Sequence, residues 1–371
     1  MRAITAWFFI FRILTRYLFF KLGVATAPDA SGNFDDIQYV CGQFTGWNRY
    51  YRYRGGENIP RYHAAIFYGN HIKFGDPFHL FRGAYLETHG DVKLHAMARD
   101  DFFIGTPLKS RFFDADEFIT YVGVHGINRD KVSLGQMKIF LDLLANGESF
   151  IMFPGRTRSR SGLMMEYRDN VQEPGGLSFF LAMIQRKKKD QKFGAVPVSR
   201  NYNPVRNQTS TIYGPEQFLD PKATREEQRD FDFHLVEVLA GLLEISVVQV
   251  IAALLYTTAL HHLAETISLE TMQSWVRAIR ETSTHPWWDE EDDKDLDESV
   301  RLSLNWLEKH GMVQLRGDDT HLNTKAILSV PDLESDYIKH NPVKYLTNQN
   351  LHLGDHMQAI QDLVLDHFKQ A

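Results

Sequence analysis

Ile66-Phe67-Tyr68-Gly69-Asn70-His71-Ile72-Lys73-Phe74-Gly75-Asp76 is the stretch on which the fold turns. An apolar run reads as a short buried strand, and Gly69 and Gly75 punctuate its exit. A histidine directly past a strand end stands where α/β folds place chemistry. Asp76 follows His71 by five positions, close enough to hydrogen-bond the far ring nitrogen and fix the tautomer. This is a base and its orienting carboxylate with no protein nucleophile beside them. Such a pair suits deprotonation of a substrate hydroxyl.

Outward from this stretch, residues 62–220 alternate short apolar runs with helical patterns. Runs at 64–68, 94–98, 150–153 and 194–198 are predicted strands, and 134–144 and 177–186 predicted helices. The alternation predicts an α/β sheet domain. Pro197, inside Ala195-Val196-Pro197-Val198, suggests an edge or a bend. After Asp220 the pattern becomes helical: 224–281 reads as almost continuous helix, with an apolar core at 245–260 too short to span a bilayer. An acidic loop at 289–293, a helix over 298–310 stopped by Gly311, and a hairpin around Gly317-Asp318-Asp319 follow. Helix, helix, hairpin is a winged-helix outline. The predicted boundaries are 1–30 for an N-terminal helix, 31–222 for the α/β domain and 223–371 for a mostly helical C-terminal domain.

Composition sets the class. The chain has 371 residues, long enough for two domains, and its 43% hydrophobic and 24% charged content are those of a globular protein. A net charge of -6, with no basic helix in the winged-helix region, argues against a nucleic-acid partner. The single cysteine, Cys41, has no intramolecular partner and fits a reducing compartment. Aromatic and aliphatic residues crowd positions 1–22, with Arg12, Arg16 and Lys21 spaced along one helical face. This predicts an amphipathic helix lying on a membrane rather than a span or a cleaved signal. Asp29-Ala30-Ser31-Gly32-Asn33 reads as the loop after it, and 47–54 as an aromatic and basic surface. Lys187-Lys188-Lys189 reads as a solvated helix end.

Three further segments join the dyad. Gly123-Val124-His125-Gly126-Ile127-Asn128-Arg129 is a strand-like run ending in an arginine. Phe150-Ile151-Met152-Phe153-Pro154-Gly155-Arg156-Thr157-Arg158-Ser159-Arg160-Ser161-Gly162 is a strand entering a loop with arginine at every second position. Guanidinium groups bind phosphate in bidentate fashion, and hydroxyls add donors. The third is the Val196-Pro197-Val198 strand. A metal-dependent hydrolase built on His71 and Asp76 lacks further ligands at regular spacing.

Order and spacing together resemble the four blocks of the glycerolipid acyltransferase family, the glycerol-3-phosphate and 1-acylglycerol-3-phosphate acyltransferases. The Asn-His-x4-Asp block is matched by Asn70, His71 and Asp76, and the arginine of the second block by Arg129. Phe-Pro-Glu-Gly-x-Arg-Ser is matched in part by Phe153, Pro154, Arg158 and Ser159, and the fourth block by Val196, Pro197 and Val198. The likeness covers about residues 60–215. Tyr345, Asn348 and His352 are similar to a Tyr-x-x-Asn-x-x-x-His segment near the end of the larger glycerol-3-phosphate acyltransferases. One departure stands out: Gly155-Arg156 occupies the place of the family's Glu-Gly, which leaves the acceptor open.

The resemblance implies a mixed-sheet acyltransferase domain that works without metal, bound cofactor or covalent enzyme intermediate. His71 acts as general base and Asp76 orients it. The acyl donor is acyl-CoA or an acyl carrier protein. Arg129, Arg156, Arg158 and Ser159 hold the phosphate of a glycerol-type acceptor, glycerol 3-phosphate or dihydroxyacetone phosphate. Lysophosphatidate or another lysophospholipid is the alternative acceptor, and a non-catalytic lipid or acyl-carrier binding protein the alternative role. The expected location is the cytoplasmic face of a membrane.

Overall fold

A strand that must lie buried on both faces has to be apolar along its whole length, and β2 (Ile66–Gly69), directly before His71, is buried at all four positions. The computed structural model describes residues 2–25, 33, 35–37, 39–40, 51–73, 75–99, 109–110, 113–128, 133–155, 158–166, 174, 176–288, 295–332 and 334–370. Outside them lie Cys41, residues 29–32 of the expected loop, residues 47–50, Arg129, Arg156 and the acidic run 289–293.

The strands in chain order are β1 (Tyr51–Arg54), β2, β3 (Leu94–Arg99), β4 (Lys109–Ser110), β5 (Phe113–Asp114), β6 (Val124–Ile127), β7 (Ser149–Met152), β8 (Ala195–Asn203) and β9 (Gln208–Tyr213). Among the described residues seven form one sheet, ordered β1-β9-β8-β2-β7-β3-β6. Every pairing in it is parallel except β8 with β9, which makes the sheet mixed. Ile66, Tyr68 and Phe150 face a core completed by Phe140, Phe180 and Leu181. Phe67 and Ile151 face the other, completed by Leu80, Phe81 and Ala84. Helices therefore cover both faces, as parallel strands require.

β8 corrects the expectation of an edge or bend: it lies inside the sheet, between β9 and β2. Ala195 N–H and Pro197 C=O both point towards the β9 side. The ladder there is interrupted between the Ala195–Gln217 bridge and the Val198–Tyr213 pair, so the proline's missing donor costs no regular hydrogen bond. β8 also outruns β2, pairing with it only as far as Gly69↔Val198. Its continuation carries Arg200 over the segment that follows β2.

The C-terminal half has its own core around helix Val247–Leu260. The continuous helix expected over 224–281 is three helices, Arg225–Gly241, Val247–Leu260 and Leu269–Thr282. Each restarts at a capping residue: Thr224 and Ser268 accept N–H groups of the turn they open, and Ser246 donates its own N–H to Gln249 Oε1 at 2.8 Å. β10 (Thr266–Ser268) precedes the third, and β11 (Val313–Arg316) and β12 (Asp319–Leu322) follow helix Leu296–Lys309. The three pair antiparallel in the order β10-β12-β11, giving the winged-helix order of elements.

Helix Arg2–Lys21 docks through Tyr17, which meets Phe118 and Tyr121 edge-on. Its basic residues Arg12, Arg16 and Lys21 are partly exposed and paired within the chain. Arg12 and Arg16 pair with Asp36, and Lys21 with Glu117. Trp7, Phe8 and Phe11 are exposed, at 65%, 57% and 68%. Among the described residues no helix is long and apolar enough to cross a membrane.

The C-terminal half grips the loop that follows β7. Tyr337 N–H donates to Arg160 C=O at 2.9 Å, and Asn348 Nδ2 to Ser161 C=O at 2.9 Å. Met164 N–H donates to His352 Nε2 at 2.8 Å. Gly162, at φ +94°, lies against Tyr345, where an added Cβ would stand 2.1 Å from the backbone oxygen. Only glycine fits there. Asn348→Ala strands a buried carbonyl, so it should cost about 1–3 kcal/mol of stability, read from urea unfolding, and speed proteolytic cleavage within 158–166.

Candidate active site

The site is built where β2 and β7 end and β8 continues. Asp76 opens helix Asp76–Glu87, and its carboxylate turns back over the preceding loop. Oδ2 accepts the N–H groups of Ile72 and Lys73, both at 2.6 Å, and lies 3.2 Å from His71 Nδ1. Oδ1 faces Arg200 Nε at 3.3 Å. A fully buried carboxylate needs such partners to remain charged. Burial alone pushes the Asp76 carboxyl up, but the His71 hydrogen bond, the Arg200 charge and the Lys73 amide outweigh it and hold the group at about 2. An ionised carboxylate accepts only, so Nδ1 carries the hydrogen and Nε2 presents its lone pair.

The His71 ring stacks on Phe153, with centroids 4.5 Å apart and planes 25° from parallel. Its side chain retains 17% exposure, so part of it is reachable from solvent. Among the described residues no hydroxyl or thiol hydrogen-bonds it. The arrangement can take a proton from a molecule that enters, and has no protein nucleophile to activate. Lys73 lies beside it, with Nζ 3.1 Å from the centroid of the Tyr202 ring. Burial lowers this ammonium to about 8, with Asp76 opposing.

The arginine loop is tied directly to the base, for Ser159 N–H donates to His71 C=O at 2.6 Å. Ser159 is buried and its Oγ accepts Gly162 N–H at 3.1 Å. The hydroxyl expected to assist a phosphate is thus used within the loop. Arg158 Nη2 meets Asp336 Oδ1 at 2.8 Å, so its guanidinium faces a carboxylate of the chain itself. Glu166 Oε1 gathers Arg160 N–H, Ser161 N–H and the Ser161 hydroxyl at 2.6, 2.7 and 2.8 Å.

An Acyltransferase family model matches residues 51–176. This stretch is an acyltransferase-family domain. It contains His71, Asp76, Arg129, Arg156, Arg158 and Ser159, from the first three blocks, and the fourth block, Val196-Pro197-Val198, lies beyond it. A solved structure, that of the 1-acyl-sn-glycerophosphate (LPA) acyltransferase PlsC from Thermotoga maritima, is similar at 19% identity, covering 65% of this chain and 96% of that one with a TM-score of 0.35. No curated protein matches the chain.

Arg200 lies beyond the matched segment, and no motif read from the sequence pointed to it. The one signal was a charged residue two positions after a run of buried apolar ones, where an arginine must find a counter-charge. Asn70 locks its backbone in place: Arg200 N–H donates to Asn70 Oδ1 at 2.6 Å, and Asn70 Nδ2 to Arg200 C=O at 2.8 Å.

The depressed Asp76 carboxyl links stability to pH. Its ordinary value is 3.8, so as pH falls the unfolded chain binds this proton first. The carboxylate's contribution is whole above about pH 4 and drains away towards about pH 2. The stability gap between the native protein and Asp76→Asn, measured by urea unfolding, should be widest above about pH 4 and close as the pH falls.

Proposed function

We propose that the protein transfers a fatty acyl group from an acyl thioester, acyl-CoA or acyl carrier protein, to the hydroxyl of glycerol 3-phosphate or dihydroxyacetone phosphate. The observation that carries this reading is His71, oriented through Nδ1 by a buried carboxylate and open at Nε2, in a domain of the acyltransferase family. Nε2 takes the acceptor's hydroxyl proton as the oxygen attacks the thioester carbonyl. Asp76 stabilises the imidazolium that forms. The tetrahedral intermediate collapses, the carbon–sulfur bond breaks, and the imidazolium returns its proton to the thiolate. The acceptor phosphate is held by arginines of the second and third blocks, Arg129, Arg156 and Arg158, with the Ser159 segment keeping the loop against His71. Arg158 reaches a phosphate by exchanging it for Asp336.

On this reading residues 31–222 carry the chemistry, and 223–371 hold the arginine loop. The Tyr345, Asn348 and His352 segment supports the glycerol-3-phosphate branch, because its residues meet that loop. The outward aromatic face of helix Arg2–Lys21 supports a second acceptor, lysophosphatidate, which would reach the site from a lipid surface. It also supports work at a membrane surface.

Free-thiol release from acyl-CoA, followed with a panel of acceptors, tests the assignment. Release should need glycerol 3-phosphate or dihydroxyacetone phosphate. Release with lysophosphatidate alone moves the acceptor to the second reading, and none with any acceptor or donor sinks enzymatic transfer. His71→Ala should lower the rate about 10²–10⁴-fold with unchanged circular dichroism.

Membrane attachment is tested separately. Trp7→Glu with Phe11→Glu should reduce co-sedimentation with anionic phospholipid vesicles at least about tenfold, because each change places a charge on the apolar face. Undiminished binding would remove this helix from the membrane contact.

A further inference from the structure

Asp76 is a buried anion with two cationic centres beside it. One is His71 once it has taken a proton, on Oδ2; the other is Arg200, permanently charged, on Oδ1. Both the arginine and the carboxylate are excluded from solvent, with side-chain exposures of 1% and 0%. Arg200 is held from several sides. Asn70 fixes its backbone, and Nη1 donates to Ser210 C=O at 3.2 Å and to the Thr211 hydroxyl. Nη2 is buried with no hydrogen-bond partner among the described residues. Packing does not account for such a group, since an apolar side chain of similar volume would fill the space without stranding a donor. Its return is electrostatic, and it falls on Asp76.

We propose that Arg200 is a positioning residue that sets the proton affinity of His71, by neutralising Asp76 so that the carboxylate orients the imidazole without retaining a proton on it. The inference rests on His71 as general base and extends that reading. A lone buried carboxylate against an imidazole favours the charged ring, which would leave the base already protonated at neutral pH. A fixed guanidinium on the other carboxylate oxygen offsets that attraction while leaving the hydrogen bond to Nδ1 intact. Ordinary acyltransfer then needs no further device to keep Nε2 free.

The other charged or titratable groups facing the pair include Lys73 and His79 from their own segment, Tyr202 from β8, Tyr213 from β9 and Tyr345 from helix Pro342–Asn350. Burial keeps His79 at about 3 and raises the Tyr345 phenol, and Lys73 titrates near 8. Of these, Lys73, His79 and Tyr345 do not change charge between about pH 4 and 7.

The test is the titration of His71 by NMR in isotopically labelled protein, with its resonance assigned by its loss in His71→Gln. Arg200→Gln should raise the His71 midpoint by about one pH unit, and the acid limb of kcat/KM should move the same way. Arg200→Lys keeps the charge on a shorter reach without the fork, and should give a smaller rise of the same sign. If Arg200→Gln does not fold, the lysine variant decides alone. An unmoved midpoint in whichever variant folds overturns the proposal, even where activity has fallen, because a merely structural arginine changes stability and rate without changing proton affinity. The titration reads His71 whether or not acyl groups move. Absence of transfer in the native protein would sink the assigned function and leave the titration result standing.

Discussion

The structure depends on burying one carboxylate. Asp76 lies at the first turn of a helix, beneath the segment that leaves β2, and it is stable there because four hydrogen bonds converge on it: two backbone amides, the His71 ring and the Arg200 guanidinium. Each donor comes with a structural consequence. The amides of Ile72 and Lys73 fix the shape of the loop between strand and helix. The imidazole is locked in one tautomer with its reactive nitrogen outward. The guanidinium commits β8 to run past the end of β2, where Asn70 can reach its backbone. Loop, base and strand are thus organised by the same charge, and none of the four can be altered without disturbing the others.

A second organising contact joins the two halves of the chain. The loop after β7 is too rich in arginine and too poor in apolar residues to fold onto the sheet unaided. Ser159 holds one end of it against His71, and Glu166 collects its amides from within. Asp336, Asn348 and His352 grip it from the C-terminal side. Burial lowers the His352 imidazole, which matches its role as acceptor of the Met164 N–H, a role open only to the neutral ring. The core around helix Val247–Leu260 therefore supports the site at a distance, by holding the residues that hold the loop.

Much of this was legible in the sequence. Doubly buried strands must be apolar throughout, so β2, β7 and the start of β8 stood out as runs, and the helices that cover them showed as periodic segments between the runs. The His71 and Asp76 spacing is local chemistry, and local chemistry survives folding. The helix breaks after Gly241 and Leu260 were less visible, because they depend on capping serines inside otherwise helical composition. The partners of the first helix's basic residues were not legible for a different reason: Asp36 and Glu117, which pair with its arginines and lysine, lie well away in sequence.

The sequence by itself determined an α/β sheet, a base with its orienting carboxylate, and an arginine-rich loop in the order of an acyltransferase. Each of these is carried by residues near one another in the chain, where spacing and periodicity translate directly into geometry. Tertiary structure alone decided which charges are spent. It set Arg158 against Asp336, turned the Ser159 hydroxyl into its own loop, and delivered Arg200 to Asp76 from 124 positions away. Ion pairs and close approaches between distant segments follow from the register of strands and the packing of cores, and no local pattern encodes them.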